Sequence, residues 1–169
     1  GKLNVRHALG QMETGYNLSA DQTIELSNVN GEFSAAILDA AIVPFMLAGS
    51  IHSQLESVQI QGRSLLTATG ELQWRDASIT GVADVSLGNI TFKASPEAKG
   101  TKLQVSNEGG VIAISGDIRV TGNGRYRLNL LLSSRDNRNT DLKNMLAVLG
   151  RVDAQGRVRF NQAGRLPGW

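Results

Sequence analysis

The stretch Ile114–Ser134, ISGDIRVTGNGRYRLNLLLSS, decides the fold, because its glycines either cradle a phosphate or turn one strand into the next. Thr121-Gly122-Asn123-Gly124 lies between two runs that alternate apolar and polar residues, with Ile118 and Val120 before it and Tyr126, Leu128, Leu130 and Leu132 after it. Glycine and asparagine supply the positive φ angles that tight hairpin loops demand. A phosphate cradle would need a helix after the loop, and RYRLNLLL has the period of a strand. The loop is read as a hairpin. GELQW at Gly70, GDIRV at Gly116, GRVRF at Gly156 and GKLNV at Gly1 repeat one pattern of glycine, charge, apolar, polar, apolar. These pentads read as strand starts or bends, with Gly70 and Gly116 marking bulges or curvature inside longer runs.

Working outward, period-two alternation dominates from Leu47 onward. Leu47, Ile51 and Leu55 share a face, as do Leu66, Ala68, Leu72 and Trp74; Val85, Leu87, Ile90, Phe92, Leu103 and Val105 continue the rows. The turn signals SPEAKG, NEGG and GNG punctuate them at hairpin spacing. Strands are predicted over Leu47–Leu55, Leu65–Trp74, Val111–Val120 and Arg125–Ser133, with Leu72, Trp74, Ile118, Val120, Leu128 and Leu130 on the inward face. Two segments break the alternation. NTDLKNMLAVLG reads as a short amphipathic helix over Asp141–Leu149, with Asn139 or Thr140 as N-cap, Gly150 just past its end, and a docking stripe of Leu142, Met145, Leu146 and Leu149. GEFSAAILDAAIVP places Phe33, Ile37, Leu38 and Ala41 at helical spacing before Pro44. The fold class is therefore all-β and mainly antiparallel, a curved sheet, incomplete barrel or sandwich with one or two short helices. One domain is expected over residues 1–169.

Composition narrows the function. Seventeen Lys plus Arg against fifteen Asp plus Glu give a formal charge of +2 with the signs interspersed, and aromatics are 5% of residues. Neither is the footprint of a nucleic-acid binder. Cysteine is absent, which excludes disulfides and thiolate metal sites but fits any compartment. The longest apolar stretch, SAAILDAAIVPFMLAGS, is broken by Asp39 and Pro44, so no membrane span is expected. GKLNV has no initiator Met and no signal-like segment, and the chain is expected to be a soluble piece whose natural beginning lies elsewhere.

Chemistry-bearing patterns are scarce. His7 and His52 have no carboxylate at metal-ligand spacing, no serine sits in a GxSxG elbow, and the acids are scattered singly. No cofactor or metal is expected. Trp74 is read as core, Trp169 as a frayed terminus, and Arg125 and Arg127 as the solvated face opposite Tyr126, Leu128 and Leu130; with Arg135 and Arg138 they are the nearest thing to an anion patch.

NEGGVIAISGDIRVTGNGRYRLNLLLSSRDN followed by LKNMLAVLGRVDAQGRVRFNQAGRL resembles the C-terminal half of the type II secretion system protein N family, also called general secretion pathway protein N. LSNVNGEFSAAIL and ATGELQWRDA resemble earlier pieces of it, so that the likeness runs from about Leu26 to Leu166. The resemblance implies a periplasmic all-β domain of a single-pass inner-membrane protein, with the membrane helix outside this chain. It also implies an accessory, non-enzymatic component whose partners are other inner-membrane or periplasmic secretion proteins. Two competing readings stand beside it: a carrier of an apolar ligand such as lipid, and a hydrolase of cell-wall glycans. The expected contact is an unpaired strand margin at Leu3, Asn4, Val5 and Arg6.

Overall fold

The computed structural model describes residues 1–37, 46–80 and 84–166. Along the chain come β1 (Lys2–His7), β2 (Gly10–Leu18), β3 (Thr23–Ser34), β4 (Met46–Gln61), β5 (Ser64–Thr80), β6 (Val85–Glu97), β7 (Gly100–Glu108), β8 (Ile112–Thr121), β9 (Arg125–Ser134), α1 (Thr140–Ala147), β10 (Arg151–Val152) and β11 (Val158–Arg165). All eleven strands form one open sheet in the order β1-β2-β3-β4-β5-β6-β7-β8-β9-β11-β10, and every pairing is antiparallel. The expected all-β, antiparallel class is borne out, and the sheet is not closed. No sandwich forms among the described residues, because there is no second sheet to pack on the first.

Register divides the sheet into a polar and an apolar face. One cross-strand row runs Asn4, Glu13, Asn30, Gln54, Glu71, Lys93, Gln104, Asp117, Asn129, Asn161, while the adjacent row runs Val5, Met12, Gly31, Ser53, Leu72, Phe92, Val105, Gly116, Leu130, Phe160. The second row faces the core. Its small members, Gly31, Ser53 and Gly116, leave room for the sheet to curl toward that side. The six residues predicted on the inward face all lie there, half-buried, and Trp74 also donates its indole N–H to Ala48 O at 2.9 Å.

β5 and β6 part before either strand ends. Their pairing ends at Gly70 and Ala94, although β6 follows β7 as far as Glu97 and Gly100. Pro96, which has no N–H to give, falls in the part of β6 that is paired with β7 but no longer with β5. Gly70 has φ +127°, and a Cβ there would sit 2.5 Å from Gln54 O; the β4–β5 register shifts opposite it, between Leu55 and Ser57. Ala68 remains paired with Val58, and its N–H donates at 2.9 Å to the hydroxyl of Thr101, a residue only 2% exposed. A side chain has taken the place of a missing strand. Beneath it Val29, Val58, Ala68 and Ala94 bury one cluster with Leu55, Ile60, Leu65 and Leu103.

The other end of the curl is roofed by α1. Asn139 Oδ1 caps the helix by accepting from Leu142 N at 3.0 Å, and Leu142 and Leu146 pack with Ala77, Leu87, Ile90, Val105, Ile112, Leu132 and Val158. The docking stripe is narrower than predicted. Met145 is 40% and Leu149 47% exposed: a helix this short lays one i,i+4 row on the sheet, Met145 falls on its flank, and Leu149 lies beyond its end. Gly150 is needed for close approach, since a Cβ there would meet Arg159 O at 2.2 Å.

Other expectations need correction. The row through Leu66 and Ala68 is interrupted: pairing passes from Thr67 to Leu65 across a register shift, and Leu65 packs against the buried cluster. Of the helix expected around Phe33 and Ile37, Phe33 belongs to β3 and residues 35–37 form a 3₁₀ turn; its Leu38 and Ala41, like Trp169, lie outside the described residues. Alternation also begins well before Leu47, in β1 to β3, where a shift between Glu13 and Gly15 interrupts its period. Two outcomes are expected in chemical denaturation. Thr101→Val should cost about 1–3 kcal/mol by stranding the buried Ala68 N–H, and Leu146→Ala about 2–5 kcal/mol, whereas Leu149→Ala should change stability by less than about 0.5 kcal/mol.

Candidate functional site

An open sheet has two margins. On one side β10 has two residues and covers only Val158 and Arg159 of β11, which leaves Phe160–Arg165 paired with β9 alone. On the other, all six residues of β1 are exposed and paired with β2 alone. This strand holds Leu3, Asn4, Val5 and Arg6. Leu3 and Val5 point to the apolar side, Val5 in one row with Met12 and Leu72, and Asn4 and Arg6 point to the polar side.

The hydrogen-bond phase of β1 follows from its first pair. Gly1 N donates to Tyr16 O at 2.7 Å and Tyr16 N to Gly1 O at 2.8 Å, so Gly1 and Tyr16 are a hydrogen-bonded pair. Antiparallel ladders alternate; Leu3, Val5 and His7 therefore turn their peptide groups toward β2. The N–H and C=O groups of Lys2, Asn4 and Arg6 point away from the sheet.

Next to this margin the apolar side is uncovered. Leu3, Val5, Tyr16 and Ile24 are more than one-third exposed and Leu18 is 65% exposed, and no helix among the described residues covers β1 to β3 as α1 covers the other end. The signal was present in sequence as Met12, Tyr16, Leu18, Ile24 and Leu26, but the bulge hid its period. On the polar side the same strands form a hollow of about 370 Å³ lined by Arg6, Glu13, Glu32, His52, Glu71 and Arg75 among others.

Of the residues lining that hollow, His52 and Glu32 lie close to a serine outside it, Ser50. Ser50 Oγ lies 3.0 Å from His52 Nε2 and Glu32 Oε1 lies 3.7 Å from the same nitrogen. A hydrolytic triad requires the carboxylate on one ring nitrogen and the nucleophile on the other. Here both crowd one atom, so Glu32 does not orient the ring for proton abstraction from Ser50. His7 is engaged elsewhere, its Nδ1 accepting from Leu9 N at 3.2 Å. No cluster of metal-ligating residues occurs among the described residues. Nor do the arginines form an anion site: Arg135 bonds Gly109 O, Asn107 O and Asn107 Oδ1, tying down the β7–β8 turn, while Arg125 and Arg127 stand exposed on the polar face.

The fold and its margin define a class, a single-layer antiparallel meander curled on an apolar face and open at both edges. The family described as type II secretion system (T2SS), protein N, matches residues 1–161, and the chain belongs to that family, a component of a secretion system. No curated protein and no solved structure matches the chain. No helix among the described residues is long and apolar enough to cross a membrane.

The ladder phase has a direct readout. In amide hydrogen exchange, Lys2, Asn4 and Arg6 are expected to exchange at least about tenfold faster than Leu3 and Val5 on the same strand. Equal rates along the strand would mean a different register or a covered edge.

Proposed function

We propose that the chain is a non-enzymatic assembly component of the type II secretion system, residues 1–169 forming one β-rich domain on the periplasmic face of the inner membrane. Its contact with other secretion components runs through β1. Family membership supplies the link to secretion, and the observation that supports the mode of action is the unpaired β1 margin, six exposed residues bonded on one side only. A free ladder edge accepts an added strand through main-chain bonds. The arrangement of Ser50, His52 and Glu32 supports the non-enzymatic reading, since it lacks the relay a serine hydrolase uses.

One observation favours a second reading. The exposed apolar wall of Leu3, Val5, Tyr16, Leu18 and Ile24 would suit an acyl chain as well as a protein surface. Site-specific crosslinking from Asn4 and Arg6, in the protein within its native envelope, separates the two. Capture of another secretion-system subunit is expected. No capture from either position, together with lipid retained in native mass spectrometry, would replace assembly by the carrier reading.

A further inference from the structure

The geometry points to a specific kind of occupant for β1: an extended segment of a partner protein that carries two carboxylates four residues apart with apolar residues between them, acidic–apolar–polar–apolar–acidic. This rests on the reading of β1 as an assembly edge and adds to it the chemistry of the partner.

The argument starts from the free peptide groups. A strand added to β1 bonds to Lys2, Asn4 and Arg6, whose N–H and C=O groups face outward. Cross-strand neighbours share a face, so the partner residues opposite Lys2 and Arg6 lie on the polar side beside their ammonium and guanidinium groups. Those cations are not held in ion pairs among the described residues, although Glu13, opposite Asn4, shares their face and lines the polar hollow with Arg6. Lys2 faces Gly15 and Arg6 faces Gln11 across the β1–β2 ladder. Opposite-charge cross-strand pairs stabilise a sheet and like-charge pairs destabilise it. Carboxylates opposite Lys2 and Arg6 therefore fit. The partner residues opposite Leu3 and Val5 fall on the apolar side, where both are exposed and where an apolar side chain extends the Val5 row by one strand. The pattern reads the same in both directions, so it serves a parallel or an antiparallel addition.

The same charges argue against a second copy of this chain. In the fullest antiparallel self-pairing of β1, Leu3 faces Val5 and Lys2 faces Arg6 of the other copy, which sets cation against cation at both ends. Charge on an edge is a common defence against self-association. Here it has one sign, so it repels a copy and selects an acidic strand.

The test uses two peptides, one with the core Glu-Leu-Thr-Leu-Glu and one with Lys-Leu-Thr-Leu-Lys, and the protein's own amides. The acidic peptide is expected to protect the amides of Lys2, Asn4 and Arg6 from exchange and to bind about tenfold more tightly than the basic one in low salt, the gap shrinking as salt is raised. In Lys2→Glu/Arg6→Glu protein, folded by circular dichroism, the preference should invert. Equal binding of both peptides, or protection elsewhere on the chain, overturns the proposal. In the native envelope, the segment crosslinked to Asn4 or Arg6 should carry the two acids at that spacing. A captured secretion subunit whose crosslinked segment lacks them sinks the charge pattern and leaves the assembly edge standing, whereas absence of any capture sinks both. Capture of a segment of this same protein also overturns the proposal.

Discussion

A sheet with one greasy face and, among the described residues, no second sheet to pack on it must cover that face by bending. Everything else in this molecule follows from how it does so. The bend requires β5 and β6 to separate at Gly70 and Ala94, which would leave a buried amide on β5 without its ladder partner. An orphaned amide costs more than an ordinary hydrogen bond gains, and the Thr101 hydroxyl relieves it at Ala68. Pro96 helps from the other side by having no donor to lose. Glycine at position 70 permits a backbone that a side chain would obstruct. With the seam satisfied, the concave side closes on Val58, Ala68 and Ala94.

Bending covers only part of the face. At the end away from the seam, α1 completes the enclosure through Leu142 and Leu146, and its neighbour Asn107 ties three strands by donating to Leu87 O and Ile112 O and accepting from Ile114 N. A polar residue on the apolar side is tolerated there because its bonds are filled. Toward β1 no element among the described residues plays the part of α1. The exposed apolar residues and the unpaired margin are therefore two views of one geometric fact, an unfinished roll, and a partner that adds a strand to β1 would also extend the apolar row that ends at Val5.

The polar face gives a different lesson about reading chemistry from proximity. Ser50, His52 and Glu32 come from neighbouring strands and lie side by side, as residues of the required types. Cross-strand pairing alone brings them together: His52 stands opposite Glu32 and two residues from Ser50 on the same face. Pairing sets which side chains are neighbours, but it does not set which ring nitrogen each one addresses, and that detail separates a relay from a cluster of polar groups.

By itself the sequence determined the local facts. The hairpin at Gly122–Gly124, the inward rows through Trp74, Ile118 and Leu130, the helix after Asn139 and the family likeness all follow from period, turn chemistry and capping, which act over a few residues and leave a direct mark on residue order. The margin at Leu3–Arg6 was legible as a strand, and its side-chain phase with it. Tertiary structure alone decided between curved sheet and sandwich, because alternation is the same whatever covers the apolar face. It also decided that Leu65 packs against the buried cluster, that Met145 and Leu149 stay in water, and that Thr101 stands in for a strand. Each of these depends on contacts between residues distant in sequence, set by bulges and by curvature, and a one-residue shift in a ladder moves a side chain to the opposite face.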